Sequence, residues 1–140
     1  MRMLNKIYEQ LLACPKVPPE CGGILGSQSD ESIRKIVFDK GIPENNGCVY
    51  SPNVGFLNKT IAEWTQCGIE FRGIFHTHAP QWNGLSKGDI DYIIQIVNAM
   101  PSHIHFLYFP LVFPGLYIRG YCAKREGGVV GIFDDGIEII

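Results

Sequence analysis

Three segments with apolar residues at helical spacing, separated by runs of β-forming residues, limit the folds open to this chain. Apolar side chains recur three and four positions apart within 3–13, 53–68 and 86–101, the pattern of helices that bury one face. Runs of β-forming residues occupy 21–40, as a hairpin, and 69–75. Further strands are expected around 104–109, 116–123 and 128–133, with a last short one near 137–140. This order predicts an α/β fold with a central mixed β-sheet flanked by helices.

The composition is that of an ordinary globular domain. With 140 residues, of which 46% are hydrophobic and 19% charged, the chain can bury a core without disulfides. There is no internal repeat and no compositional boundary, so we expect a single domain over residues 1–140. The five cysteines are odd in number and contain no C-x-x-C pair, which favours reduced thiols in a cytoplasmic protein.

Charge and hydropathy argue against two classes of partner. The net charge is −2, and Lys and Arg are spread along the chain rather than grouped, so nucleic acid is not expected to bind. No run approaches the roughly 18 apolar residues of a membrane span, and the N-terminal segment lacks the apolar run of a secretory signal. The sequence carries no signal for an oligomeric state.

Two histidines follow the apolar strand that precedes the third helix. His76 and His78 are two residues apart, so their side chains leave one face of a strand with Cα atoms about 6 to 7 Å apart. Asp89 follows eleven residues after His78 and three after Ser86, in the predicted first turn of the third helix. Two imidazoles and a carboxylate suit Zn²⁺ and leave a fourth position for water. The sequence therefore predicts a catalytic zinc site at His76, His78 and Asp89.

A water molecule that attacks a carbonyl also needs a base, and Glu20 is the candidate. It stands at the start of the first strand in the segment PPECGGILG, where a glycine-rich backbone can approach a metal site closely. Its carboxylate would take the proton of the water and deliver it to the leaving amine.

These residues together resemble the signature of the JAMM (MPN+) zinc metalloproteases. The matching pattern is Glu20 followed by Cys-Gly-Gly-Ile-Leu-Gly, then His-Thr-His at 76–78, seven residues, Ser86, two residues and Asp89. The resemblance covers nearly the whole chain and implies the JAMM/MPN fold, whose architecture is similar to that of cytidine deaminases. In that family the glutamate is the general base, the two histidines and the aspartate bind zinc, and the serine donates a hydrogen bond to the oxyanion. The resemblance implies the same roles here, with Glu20 and Ser86 as catalytic residues.

The resemblance also implies a substrate class. It points to cleavage of a peptide or isopeptide bond after the C-terminal glycines of a ubiquitin-like protein, or to release of a small amino acid from a sulfur-carrier protein. The compact chain favours a prokaryotic-type member. One departure is Ala79, where the family usually has proline directly after the second histidine.

Two other functions are weighed against this hydrolase. Some members of the wider MPN group have lost their ligands and act as non-catalytic scaffolds or interaction modules, but every motif residue is present here. A zinc deaminase would require H-x-E and P-C-x-x-C, and neither pattern occurs in the chain.

Several features allow more than one interpretation. Ser86 to Asp89 also matches a helix capping box, which is compatible with a role in the site. His103 and His105 repeat the spacing of the first pair without a matching acidic residue downstream, so we expect them to be ordinary strand residues. Trp82 is equally consistent with a flap that faces the substrate and with a cap on the core.

An extended substrate tail needs walls along the site. Because glycines offer no side chain to grip, main-chain pairing beside a sheet edge is the available source of affinity. The segments 41–53 and 110–115 are predicted as loops that form these walls.

Overall fold

The computed structural model describes residues 1–42 and 49–140. Its helices are α1 (Asn5–Leu12), α2 (Val54–Gln66) and α3 (Lys87–Ala99). Its strands are β1 (Arg2–Met3), β2 (Gly22–Ser27), β3 (Lys35–Asp39), β4 (Glu70–Thr77), β5 (Phe106–Tyr108), β6 (Leu111–Phe113), β7 (Tyr117–Arg119), β8 (Tyr121–Glu126), β9 (Val129–Asp134) and β10 (Glu138–Ile139).

Eight of these strands form one mixed sheet. The order is β3-β2-β4-β5-β8-β9, and β6 pairs with both β4 and β7. Strand β4 runs parallel to β5 and β6, whereas its pairing with β2 is antiparallel. The short strands β1 and β10 pair in parallel as a separate sheet. The predicted α/β fold with a central mixed sheet is confirmed.

The sheet carries helices on both faces because its central strands are apolar on both sides. Ile74 of β4 belongs to a core cluster that also contains residues of α2 and α3, such as Trp64 and Ile93. The next residue, Phe75, points to the other face and packs in a second cluster with Leu11 of α1. The middle of β4 is therefore buried on both faces, and its carboxyl end, where Thr77 is also buried, has a fixed orientation.

The last third of the chain differs from the prediction in detail. Segment 110–115 is not a loop that lines the site, because Leu111–Phe113 forms the buried strand β6 beside β4. The single strand expected at 116–123 is interrupted at Gly120, where a side chain would collide with the carbonyl oxygen of Asp135. His103 and His105 lie in the exposed segment before β5 rather than in a strand.

Two expectations concern the chain as a whole. Within the described ranges, no helix combines the length and the apolar character that crossing a bilayer demands. The described cysteines, Cys14, Cys21, Cys67 and Cys122, are free thiols. Cys48 lies outside the described residues.

Candidate metal centre

The end of β4 fixes the two histidines. The backbone N–H of His76 donates to the carbonyl of Pro110 at 3.3 Å, and that of His78 donates to the carbonyl of Val112 at 2.9 Å, so β6 holds both positions. Their side chains leave the same side of the strand, as the spacing predicts. The two Nε2 atoms approach to 3.1 Å, with the rings 4.8 Å apart in an edge-on arrangement.

The start of β2 brings Glu20 to the same place. Thr77 fastens the two strands, because its hydroxyl oxygen accepts the N–H of Cys21 at 2.9 Å while its own N–H donates to the Cys21 carbonyl at 2.8 Å. Gly22 pairs with His76, and a side chain on Gly22 would collide with the carbonyl of Phe75 and the ring of Tyr50. The close approach of the strands leaves Oε1 of Glu20 3.5 Å from Nε2 of His78.

The first turn of α3 supplies the second carboxylate. Ser86 and Asp89 form the predicted capping box: the Ser86 hydroxyl accepts the Asp89 N–H at 3.1 Å, and Oδ2 of Asp89 accepts the Ser86 N–H at 2.8 Å. The same carboxylate faces the histidines, with Oδ1 at 3.3 Å from Nε2 of His76 and Oδ2 at 3.3 Å from Nε2 of His78. The cap therefore orients Asp89 toward the histidines as well as starting the helix.

The spacing of these donors suits a metal ion. Glu20, His76 and His78 each place one ligand atom within 4.8 Å of the others, a group that could hold a metal. Around a tetrahedral Zn²⁺ with bonds of about 2.0 to 2.1 Å, neighbouring ligand atoms are separated by about 3.3 to 3.4 Å. The separations among His76, His78 and Asp89 are 3.1, 3.3 and 3.3 Å. The residues present fit a divalent metal of this kind.

The tautomer of His78 also favours a metal. Its Nδ1 lies 2.9 Å from the backbone carbonyl of Trp82, and because a carbonyl only accepts, Nδ1 must carry the hydrogen. The Nε2 of the neutral ring then has a lone pair that faces the oxygens of Glu20 and Asp89. A lone pair directed at carboxylates needs a cation or a proton between them, and a carbonyl contact of this kind orients metal-binding histidines in general.

The pKa shifts separate the two carboxyl groups. Burial raises the pKa of Glu20, and the nearby histidines offset that shift only in part. Burial would also raise the pKa of Asp89, but hydrogen bonds with His76 and His78 hold it well below its usual range. Burial lowers the pKa of His78, yet the hydrogen bond with Asp89 and the contact with Trp82 give a net increase. Asp89 therefore stays ionised, whereas Glu20 is the carboxyl group that more readily accepts a proton.

The loop from Gln81 to Leu85 closes one side of the centre. Trp82 is 67% exposed and lines a cavity beside His78, so it does not cap the core. Arg119 holds this loop: it donates to the carbonyl of Asn83 at 3.0 Å and to Asp134 at 3.1 Å, and its guanidinium lies over the ring of Tyr121. The sequence analysis missed Arg119, which belongs to no motif and is distant along the chain from the loop it contacts.

The predicted walls have different outcomes. Of the segment 41–53, the described residues 49–52 line a cavity beside Glu20 and His76, and their role as a wall for a substrate tail stays a prediction. Residues 43–48 lie outside the described part of the structure. The other segment, 110–115, supports the backbone of the histidines from β6 instead of lining the cleft.

Comparisons with known proteins give similarity in structure only. No protein-family model matches the chain, and no curated protein matches it in sequence. A solution structure of a protein from Desulfitobacterium hafniense superposes with a TM-score of 0.67 at 15% identity, covering 99% of this chain and 92% of that one. A solution structure of a protein from Salinibacter ruber gives a TM-score of 0.56 at 14% identity, covering 100% and 92%.

One similar structure has a named domain type. The crystal structure of a JAB1/MPN domain protein from Archaeoglobus fulgidus superposes with a TM-score of 0.54 at 15% identity, covering 100% of this chain and 99% of that one. At this identity the similarity shows the fold. The chain therefore has an MPN-like α/β fold, with a candidate metal-binding group at the ends of β4 and β2.

Proposed function

We propose that the protein is a zinc-dependent hydrolase of a peptide or isopeptide bond, with residues 1–140 acting as one catalytic domain. The observation that carries the proposal is the convergence of Asp89 on both histidines at 3.3 Å, with Glu20 beside His78. Two histidines, one carboxylate ligand and a second carboxylate nearby are the parts that a hydrolytic zinc site requires.

Asp89 is the better ligand of the two carboxylates. It contacts Nε2 of both histidines, whereas Glu20 contacts only His78, and at the longer distance of 3.5 Å. Its depressed pKa also keeps it ionised, as a ligand must be. His76, His78 and Asp89 would therefore hold the ion and leave Glu20 for proton transfer.

The remaining residues act on the water and the substrate. A bound zinc ion supplies Lewis acidity, which lowers the pKa of water and polarises the scissile carbonyl. Glu20 takes the proton of the attacking water and returns it to the amine as the C–N bond breaks, a role that suits its raised pKa. Ser86 accepts a hydrogen bond in the helix cap, which leaves its hydroxyl hydrogen to donate to the oxyanion in the proposed mechanism.

The substrate that we propose is the C-terminal glycine tail of a ubiquitin-like or sulfur-carrier protein in the cytoplasm. The exposed loop from Gln81 to Leu85 and the hydroxyl of Ser86 offer polar groups along one side of the centre. A tail without side chains can lie against such groups through its main chain.

The proposal is tested by measuring zinc content and turnover together. The purified protein is expected to carry about one zinc per chain and to hydrolyse a model conjugate made through a Gly-Gly tail. Glu20→Gln is expected to keep the zinc and lose about 10²- to 10⁴-fold in turnover, because only the base is removed. Glu63→Gln, an exposed carboxylate of α2, is the matched control.

Two results would contradict the mechanism. Full activity of Glu20→Gln would exclude Glu20 as the base, and loss of its zinc would make Glu20 a ligand instead. A wild-type protein that binds no zinc and hydrolyses no conjugate would favour the alternative of a non-catalytic scaffold.

A further inference from the structure

The candidate metal centre lies between two cavities that different parts of the chain line. Beside His76 is a pocket of about 420 Å³, here called the apolar pocket. Beside His78 is a groove of about 660 Å³, lined by the loop 81–85 and here called the loop groove. Glu20, Ser86 and Asp89 line both cavities, so a substrate that crosses the centre occupies both.

The apolar pocket is built on the protein core. Its floor consists of Ile74, Ile93 and Phe109, which are 8%, 2% and 3% exposed. Its walls include Tyr50, Pro52 and Tyr92. Among the described residues that line it, the charged side chains are those of Glu20 and Asp89, which belong to the metal centre. Ser51, His76 and Ser86 also line the pocket, and an apolar occupant gains burial against its floor and walls.

The Tyr50 wall presents its ring rather than its hydroxyl. The hydroxyl donates to Asp39 at 2.9 Å, and Asp39 also accepts the N–H groups of Gly41 and Asn53, each at 2.9 Å. The ring lies against Gly22 of β2, where a side chain would collide with it. This wall is therefore fixed from both sides, and its hydroxyl is already used.

We propose that the apolar pocket binds the side chain of an apolar amino acid that leaves as the amine, so that the scissile bond joins a C-terminal glycine to an α-amino group. This inference rests on the proposed function. Because a glycine tail has no side chain to fill the pocket, only the leaving residue can fill it, while the tail lies in the loop groove on the other side of the metal centre. The water oxygen bonds to the glycine carbonyl carbon, the C–N bond breaks, and the water proton reaches the amine through Glu20.

An apolar amino acid carries its amino group on the α-carbon, so filling the pocket with an apolar side chain implies a linear bond. An isopeptide-linked lysine would place its methylenes in the same pocket. A comparison of the two linkages therefore tests the proposal.

A binding experiment tests the pocket without turnover. The full chain is titrated with phenylalaninamide, glycinamide and lysinamide, amines that mimic the leaving group, and followed by ¹H–¹⁵N spectra with and without zinc. Phenylalaninamide is expected to bind at least about tenfold more tightly than the other two and to shift the amides of Gly88, Tyr92 and Ile93. Equal affinities, or shifts confined to Asn83 and Gly84, would overturn the proposal.

A hydrolysis experiment separates this inference from the proposed function. Peptides that end in Gly-Gly-Phe are expected to be cleaved with a kcat/KM at least about tenfold above those that end in Gly-Gly-Gly or carry an ε-linked lysine. Cleavage of all three at one rate would overturn the pocket assignment and leave the hydrolase intact. No cleavage, with phenylalaninamide still bound in the pocket, would overturn the proposed function and leave the pocket as a side-chain site.

Tyr92 gives a matched pair of variants. It is 36% exposed, so removing its ring leaves the core in place. Tyr92→Ala is expected to reduce the preference for phenylalanine toward unity, whereas Tyr92→Phe keeps the wall and the preference. Zinc content is measured for both. An unchanged preference in Tyr92→Ala would contradict the assignment, and if that variant does not fold, the wild-type amide series decides.

Discussion

The chain contains two His-x-His segments with the same spacing and opposite surroundings. His76 and His78 end a strand that is buried on both faces, and their Nε2 atoms meet the carboxylate of Asp89. His103 and His105 are exposed in the segment before β5. In the described part of the chain, neither of them has a carboxylate within ion-pair distance. The His-x-His spacing places two imidazoles on one side of the chain. A metal centre also needs carboxylates, which the neighbouring strand β2 and helix α3 bring to the first pair.

The largest effect is expected on zinc binding, when one histidine of each pair is replaced by alanine and the two variants are compared. His78→Ala should abolish stoichiometric zinc binding, because it removes a ligand and leaves two carboxylates facing one histidine. His103→Ala should retain about one zinc per chain. Metal analysis of both variants, with circular dichroism to verify the fold, makes the comparison. Equal zinc content in both would break the distinction between the pairs.

Some residues of the metal centre can be recognised from the sequence more readily than others. His76, His78, Ser86 and Asp89 lie within fourteen residues, and the strand end and helix start that carry them are local patterns. Glu20 is more than fifty residues away, and only the resemblance to a family links it to the histidines before the pairing of β2 with β4 is known.

Other supports of the centre depend on contacts that no local pattern encodes. Strand β6 is three residues long and is followed by Pro114 and Gly115, so it resembles a loop in the sequence. Its role depends on its pairing with β4. The two strands are parallel, so no hairpin turn in the sequence signals that they pair. Arg119 contacts Asn83 across 36 positions, and an isolated arginine is uninformative without the fold.

A second prediction concerns the hydroxyl of Ser86. Ser86→Ala should keep zinc but lower turnover by about 10²- to 10³-fold, as the loss of a single oxyanion donor does elsewhere. It also removes a helix cap, which by itself costs about 0.5 to 2 kcal/mol of stability. Asn53→Ala removes the comparable cap of α2, where Asn53 accepts the N–H of Phe56, and serves as the control. Equal turnover in the two variants would reduce Ser86 to a cap.

The residues between the histidines sharpen the comparison. Thr77 is fully buried and its hydroxyl bonds to the backbone of Cys21, whereas Ile104 has no hydroxyl to tie its segment to another strand. Thr77→Val keeps the shape and leaves the Cys21 N–H without its acceptor, so the free energy of unfolding should fall by about 1 to 3 kcal/mol. Turnover should fall as well, because Glu20 adjoins Cys21. Denaturant unfolding that matches wild type would show that the two strands do not need this contact.

The smallest effect is expected from Arg119, which acts on the centre through the loop 81–85. Its guanidinium is exposed, so its ion pair with Asp134 contributes little by itself. Its contact with the Asn83 carbonyl steadies the neighbouring Trp82 carbonyl, which orients His78. Residues that orient metal ligands directly are worth about 10- to 100-fold in metal affinity. Because Arg119 acts on His78 only through the loop, Arg119→Ala should weaken zinc binding by less than about tenfold.

Arg119 can be separated from a general charge effect by a matched arginine. Arg34→Ala removes a similar partly exposed ion pair, with Asp30, on a part of the surface that does not line either cavity. Zinc affinity and hydrogen exchange at the amides of Trp82 and Asn83 are measured for both variants. Faster exchange and weaker binding in Arg119→Ala alone are expected, because only this variant releases the loop that holds the His78 tautomer. If both variants match wild type in exchange and affinity, the loop holds His78 without Arg119.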